Sequence, residues 1–580
     1  MSQLEENLPK QLEVTLAIAE PNKQDDSSTA AGEQNSNSNS NSNPNPNQPA
    51  DFETAIDTAG FGLFNILLLL VAIPAAMGTV YETSTMSYIL PSAECDLHLS
   101  LLDKGVLNAI TYAGMISSAV FWGYLADTKG RRKLLIYGYL ADTICVLGGA
   151  LSQNVVQLMV FKYLGGFTMS GPFAVLMTYL TELHGRKYRQ RVIMSVGIMF
   201  SMATLSLPGL AMGILPQPWD IDIWGLSVHS WQIFVAITAL PSILSFVLFP
   251  FFPESPKFLM SRGRNAEALE AFRFIYALNT RQPRSAFPIK ELASEVAAKS
   301  TPPTDSNLKL PEQQQQQQQQ KESDVEQAAG KAKSSLRSGL VQLRPLFVKP
   351  YLGLSLWVYL LNFCVLLGQN TMRLWLPQLF ASINEYQKMM TQTADSETSI
   401  CNIIEYSVNR TQRQVAASLL DDPDHECTVN VSPSSYTNNL IVAAAGLVAY
   451  MLAGFLVNLV GFKRIMSMAL FIAGSCAIGM YWSSSAATTV ALASIFVTMG
   501  SISATSVISA SLSMFPTALR TMIVSLSMMV GRMGSLLGNI FFPALMSLGC
   551  VPPFLMISFF MYFACLLASF LPMKNKAVLK

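Results

Sequence analysis

The sequence predicts an all-α membrane protein of twelve transmembrane helices in two pseudo-symmetric bundles of six. Three observations carry this. First, 51% of the 580 residues are apolar and 13% are charged, against about a quarter charged in soluble domains. The apolar residues gather in long windows such as Ile66–Met77, Ile233–Phe252 and Val551–Leu571, and a helix crosses a bilayer with about 20 such residues. Second, Lys and Arg cluster in alternate short loops, as they do on the cytosolic side of membrane proteins. Third, a charged segment recurs 331 residues later.

In order, the spans read as 61–90, 101–126, 134–152, 156–182, 191–214, 231–251, 351–381, 437–460, 463–484, 487–514, 518–546 and 552–572. They are helices because open strands leave backbone groups unpaired in lipid. Span 1 is drawn long to include Glu82 and Tyr88, and its outer end reads equally as a loop. The loop between spans 2 and 3 holds Lys129, Arg131, Arg132 and Lys133; that between 4 and 5 holds Arg186, Lys187, Arg189 and Arg191. Lys463 and Arg464 lie between spans 8 and 9, and Arg520 between 10 and 11. The opposite loops carry Glu94, Asp96, Asp220 and Asp222. Both termini are therefore expected in the cytosol.

The domain reading follows. Residues 1–59, with their Asn/Ser run, are a disordered tail without a cleavable signal peptide. Residues 60–252 form the first bundle, and 253–349 a cytosolic loop with an eight-Gln run at 313–320. The spacing of Phe258, Leu269, Phe272 and Ile275 predicts a surface helix early in that loop. Residues 350–572 form the second bundle, with an outer connection at 382–436, and 573–580 a short tail.

The repeat aligns "GYLADTKGRRK" at Gly123 with "GFLVNLVGFKR" at Gly454. Gly123, Gly130 and Lys133 meet Gly454, Gly461 and Arg464, while Asp127 meets Asn458. Arg189 and Arg520 end two further segments at the same offset. Duplicated halves are typical of transporters. Gly123 and Gly130 are expected to allow a tight turn and close helix approach. Arg131, Arg132, Glu182, Arg189, Asn458, Arg464 and Arg520 are the other candidates for a cytosolic gate. Asp127 has a candidate partner in the N-terminal end of span 11, near Pro516 and Thr517. The alternative is a topology signal alone, which needs the bases but not the acid.

The segment G-x-L-A-D-x-x-G-R-R-K resembles the signature of the major facilitator superfamily, as do "PESPK" at 253–257 and "FPTALR" at 515–520. Lys257 replaces the usual Arg, and Ser513 stands where many relatives have Glu. "FETAIDTAGFGLFN" at 52–65, "SYILPSAECDL" at 87–97, "HSWQIFVAITALP" at 229–241 and "LWLPQL" at 374–379 are similar to the synaptic vesicle glycoprotein 2 family. The short outer connection resembles invertebrate-type members. The resemblance implies the major facilitator fold and a place in synaptic or secretory vesicle membranes ahead of the plasma membrane. It leaves open transport of a small solute, regulation of exocytosis through vesicle-trafficking proteins, and carriage of organic ions.

Charges inside spans are candidate working residues. Glu82 in span 1 and Lys162 in span 4 lie at similar depth, so they can pair. Proton-coupled sugar porters resemble this with an acid and an Arg. The alternatives to a coupling site are a structural ion pair, or a Glu82 exposed in the outer mouth. Span 7 offers Asn362, Gln369, Asn370, Arg373 and Trp375, either around a solute cavity with a break near Gly368 or as interhelical hydrogen bonds. Arg532 in span 11 faces protein or water, and meets an anionic solute or a carboxylate. Cys145, Cys364, Cys476 and Cys565 fall in spans, and Cys95 and Cys550 near the outer face. Cys401 and Cys427 share the outer connection and are the expected disulfide. "NRT" marks Asn409 for glycosylation, ahead of "NVS" at Asn430. With four His and no phosphate loop, no metal, cofactor, enzyme activity or ATP drive is expected. The expected partners are the bilayer and a small solute, not nucleic acid.

Overall fold

A computed structural model describes residues 49–223, 225–293, 344–393, 399–420, 432–516 and 519–571. The first described helix is short: α1 (Phe52–Ala59), capped by Asp51, whose side chain accepts from Thr54 N–H at 3.1 Å. The tail expected to be disordered through residue 59 is therefore helical over its last turns. Phe52 explains this, because it packs against Phe272 with ring centroids 6.0 Å apart.

Six crossings follow. They are α2 (Leu63–Ile89), α3 (Leu101–Lys129), α4 (Arg131–Ala150), α5 (Val155–Glu182), α6 (Arg189–Ile214) and the pair α7 (Ser230–Thr238) and α8 (Leu240–Leu248). The sixth is interrupted next to Pro241, whose ring removes a backbone donor. Before it, β1 (Asp220–Ile223) and β2 (Leu226–His229) form an antiparallel hairpin. Span 1 is helical throughout, so its outer end is not a loop.

Beyond the first bundle lie α9 (Pro256–Ser261) and α10 (Asn265–Thr280). Phe258, Phe272 and Ile275 are buried and Leu269 is half-buried against α1 and the bundle. The second bundle holds α11 (Leu352–Thr393), α13 (Pro433–Val460), α14 (Phe462–Tyr481), α15 (Ala486–Met514), α16 (Arg520–Met546) and α17 (Val551–Ser569), with α12 (Ile400–Leu420) between α11 and α13. α11 runs unbroken past Gly368, so the expected break is absent. Ten of the described helical segments are long and apolar enough to cross a membrane by length and composition. With α5 and α13, each 28 residues long, the bundle has twelve crossings.

The two halves repeat in their contacts as well as their sequence. α3 packs on α16, and α6 packs on α13. A two-fold exchange of halves turns one contact into the other. The repeated turns agree: Gly130 and Gly461 have φ of +97° and +90°, a region that costs any other residue. Large apolar side chains such as Leu70, Val120, Ile144, Phe471 and Phe559 remain exposed on the bundle, as lipid requires. Below, "inner" means the end with the basic loops.

Candidate functional site

A cavity of about 400 Å³ lies between the two halves. α2, α3, α5 and α6 line it on one side, and α11, α13, α15 and α16 on the other. That volume is in the range of small-molecule sites. Its polar wall includes Gln369, Asn370, Arg373 and Arg532, four of the residues singled out in the sequence. Gln369 Nε2 donates to Ser501 Oγ at 2.9 Å and to the Val497 carbonyl at 3.2 Å. Asn370 Nδ2 donates to Ser535 Oγ at 2.7 Å. Arg532 Nη1 donates to Ser170 Oγ across the halves at 3.2 Å.

Two span-7 candidates lie elsewhere. Asn362 is buried and gives its amide to the Ser527 carbonyl at 2.7 Å, so it ties α11 to α16. Trp375 points away from the cavity and packs on Phe542, with ring centroids 5.2 Å apart. It stands two residues beyond Arg373, about 200° around the helix, so the two cannot share one face.

Glu82 and Lys162 do meet. Lys162 Nζ lies 2.7 Å from Glu82 Oε2 and also donates to the Glu82 carbonyl at 3.1 Å. Each is seven residues from the outer end of its helix, about 10 Å at the helical rise. They are 3% and 2% exposed. Such a pair survives desolvation only when its geometry is close; here Lys162 bonds Glu82 twice, while Glu82 Oε1 is buried without a described hydrogen-bond partner. Gly165 makes room: a Cβ there would collide with Glu82 Oε1. A second buried acid, Asp142 on α4, accepts from Ser242 Oγ at 2.6 Å and lies within electrostatic range of Glu82 and Lys162. The rule that singles out Glu82 applies equally to Asp142, which stands mid-span in "YLADTICV".

The cavity is closed on its outer side. Arg373 Nη1 donates to Ser84 Oγ at 2.9 Å, joining α11 to α2. Further out, Lys104 Nζ and Glu94 Oε1 form a buried ion pair at 2.7 Å. Thr411 of α12 donates to the same Glu94 oxygen at 2.7 Å. Thr437 Oγ1 reaches Met212 Sδ at 3.5 Å between α13 and α6. Lys104 and Thr411 were not legible as partners, because 307 residues separate them.

At the inner end, the described bonds of the gate candidates stay within one half. Glu254 of "PESPK" accepts from the backbone N–H groups of Arg131 at 2.8 Å and Arg132 at 2.9 Å, so it caps the N-terminus of α4. Arg131 Nε pairs with Glu182 at 3.3 Å. Arg189 holds Glu53 of α1 through two bonds of 2.9 Å. Arg520 Nε donates to the Phe515 carbonyl at 3.1 Å, and Arg464 is exposed. Gly123 would meet nothing within 4 Å if it carried a Cβ, so it serves no close helix approach. The side chains of Asp127 and Asn458, and residue Thr517, lie outside the described residues.

The expected Cys401–Cys427 disulfide is replaced by Cys401–Cys550, with Cα atoms 5.2 Å apart. α12 lies over the α16–α17 turn, and this places Cys401 beside Cys550 rather than within its own connection. Cys95 is also disulfide-bonded. Cys427, Asn430 and the Gln run lie outside the described residues. Asn409 is exposed on α12.

Residues 61–393 match the family profile of the Major Facilitator Superfamily. Synaptic vesicle glycoprotein 2B of Rattus norvegicus is 31% identical over 271 residues, covering 45% of this chain and 37% of that protein. Synaptic vesicle glycoprotein 2C of Mus musculus is 30% identical over 246 residues, covering 42% and 34%. The aligned region thus spans little more than a third of these relatives. Among solved structures, the xylose transporter XylE from E. coli, in a partially occluded inward open conformation, superposes with a TM-score of 0.58. It has 15% identity and covers 88% of this chain and 100% of that one. A bacterial homologue of the human lysosomal transporter Spinster gives 0.54 at 12% identity, covering 88% and 97%. At such identities these structures establish the fold. Twelve crossings in two repeated halves, the G-R-R-K turn with its paired charges and the matching profile lead to one conclusion: the chain is an integral multi-pass membrane protein and belongs to the Major Facilitator Superfamily.

Proposed function

We propose that the chain is a secondary active transporter moving a small polar or ionic solute by alternating access, with proton movement at Glu82 as its coupling step. The observation that carries this reading is the solute-sized cavity between two repeated halves, closed on its outer side. A central site at a repeat interface is reached from either face when the halves rock. Glu82 and Lys162 supply a coupling element, since breaking a buried pair exposes a carboxylate to water and a proton. In this reading the basic loops and both termini are cytosolic. The similarity to synaptic vesicle glycoproteins 2B and 2C supports a vesicle membrane as the site of action. Any vesicle-trafficking partner would then meet the cytosolic segments.

The test is purified full-length protein in liposomes with an imposed pH gradient and a panel of radiolabelled solutes. Gradient-dependent uptake of one solute is expected, and a Glu82→Gln protein should lose its response to the gradient. Uptake by that variant that still follows the gradient would remove Glu82 from coupling. Uptake of nothing would remove the transport reading.

A further inference from the structure

We infer that the solute is a small organic anion, bound through its carboxylate or phosphate by Arg532 and Arg373. This rests on the transport reading and names the substrate class of the same cavity. Two guanidinium groups face the cavity, and none of the described residues lining it carries a carboxylate. The buried lysines among the described residues have acidic partners: Lys162 has Glu82 and Lys104 has Glu94. Arg532 and Arg373 instead have hydroxyl partners, Ser170 and Ser84.

A guanidinium offers five N–H donors. Each of the two makes one described hydrogen bond, to a neutral hydroxyl, which leaves most of that capacity for a ligand. Unbalanced charge within a bilayer is costly and is retained where it meets a pathway or ligand. A neutral sugar would be served by the amides and hydroxyls already present and would leave both charges uncompensated. An anion supplies the missing charge and fits the planar fork of Arg in two parallel bonds. Gln369 and Asn370, about one turn from Arg373 on α11, border the same space. They provide neutral contacts for the rest of the solute. Charge balance favours a dianion over a monoanion of similar size, because two cations line the wall.

The experiment measures ligand-induced thermal stabilisation of the purified full chain and, in parallel, counterflow in liposomes. The probes are succinate, glutamate, glycerol 3-phosphate, butyrate, xylose, glucose and choline. One or more of the anions should stabilise the protein and exchange across the liposome membrane, with succinate ahead of butyrate. Arg532→Gln should raise the Kd at least tenfold, and Arg532→Lys should recover part of that loss. Unliganded melting of each variant separates lost binding from lost folding. Stabilisation or exchange by xylose, glucose or choline alone would overturn the anion inference and leave the transport reading standing. An anion that binds through Arg532 but never exchanges would do the reverse. Anion binding unchanged in both Arg532→Gln and Arg373→Gln, or no binding by any anion, would also overturn the inference.

Discussion

Replacing Lys162 with Met leaves Glu82 without its partner in a site that is closed to solvent. Glu82 then loses its 2.7 Å contact, and no other cation among the described residues acts on it. Breaking a buried pair from one side costs about 3–5 kcal/mol. Glu82→Gln should cost less. The Gln side-chain oxygen can still accept from Lys162 Nζ, and the bond to the backbone carbonyl at position 82 remains. Its loss is about 1–3 kcal/mol. The double variant buries no unpaired charge, so it should be no less stable than Lys162→Met alone. The two changes should therefore couple by at least ~1 kcal/mol. Thermal melting of the four purified proteins in one detergent measures this. Lys162→Met should melt several degrees below the native protein, with part of that loss recovered in the double variant. Additive losses would refute the pair as a buried, mutually dependent unit.

Three other outcomes follow from the contacts. Thr411→Val removes a bond to the buried Glu94 carboxylate and should cost about 1.5–3 kcal/mol in a melt. Thr411→Ser keeps the hydroxyl and the glycosylation motif, while Asn409→Gln removes the motif alone, so the three melts separate the bond from the glycan. Glu254→Ala strips the cap from α4 and should cost about 2 kcal/mol; an unchanged melt would deny the cap its role. His184 is buried beyond the end of α5, with Nδ1 2.6 Å from the Leu180 carbonyl. Burial lowers its pKa below the ordinary imidazole value. The unfolded chain thus takes up its proton at higher pH than the folded one. Stability from this residue is full above about pH 6.5 and is lost as pH falls from there through the folded value. A melting series from pH 7.5 to 5 should show that acid limb, reduced in His184→Gln.

The crossings were legible because lipid leaves the chain few choices: each apolar window of the right length became a helix close to where the sequence placed it. Residues 49–59 and the outer connection were less legible. Their helices are held by distant contacts, Phe52 on Phe272 and Cys401 on Cys550, whose partners no local pattern announces. Glu82 and Lys162 could be matched because helical rise fixes depth. Trp375 was misplaced for want of the matching angular argument. Asp142 was overlooked although its position within span 3 is plain. The role of Glu254 needed the fold, since 123 residues separate it from Arg131. The cavity itself came from packing: α3 and α13 line it as well as α11, and bring Tyr112 and Val442 to its wall.

Alternating access is tested most directly by locking the outer side. Thr437 Oγ1 and Met212 Sδ meet across the halves at 3.5 Å, so Thr437→Cys with Met212→Cys, bridged by a short bis-thiosulfonate reagent through two disulfides, should form a bond that holds that side shut. Solute exchange in liposomes is then measured before and after mild reduction, with each single cysteine variant as control for the native disulfides. The account predicts no exchange while the bond is intact and recovery on reduction. Exchange at the native rate with the bond intact would contradict it.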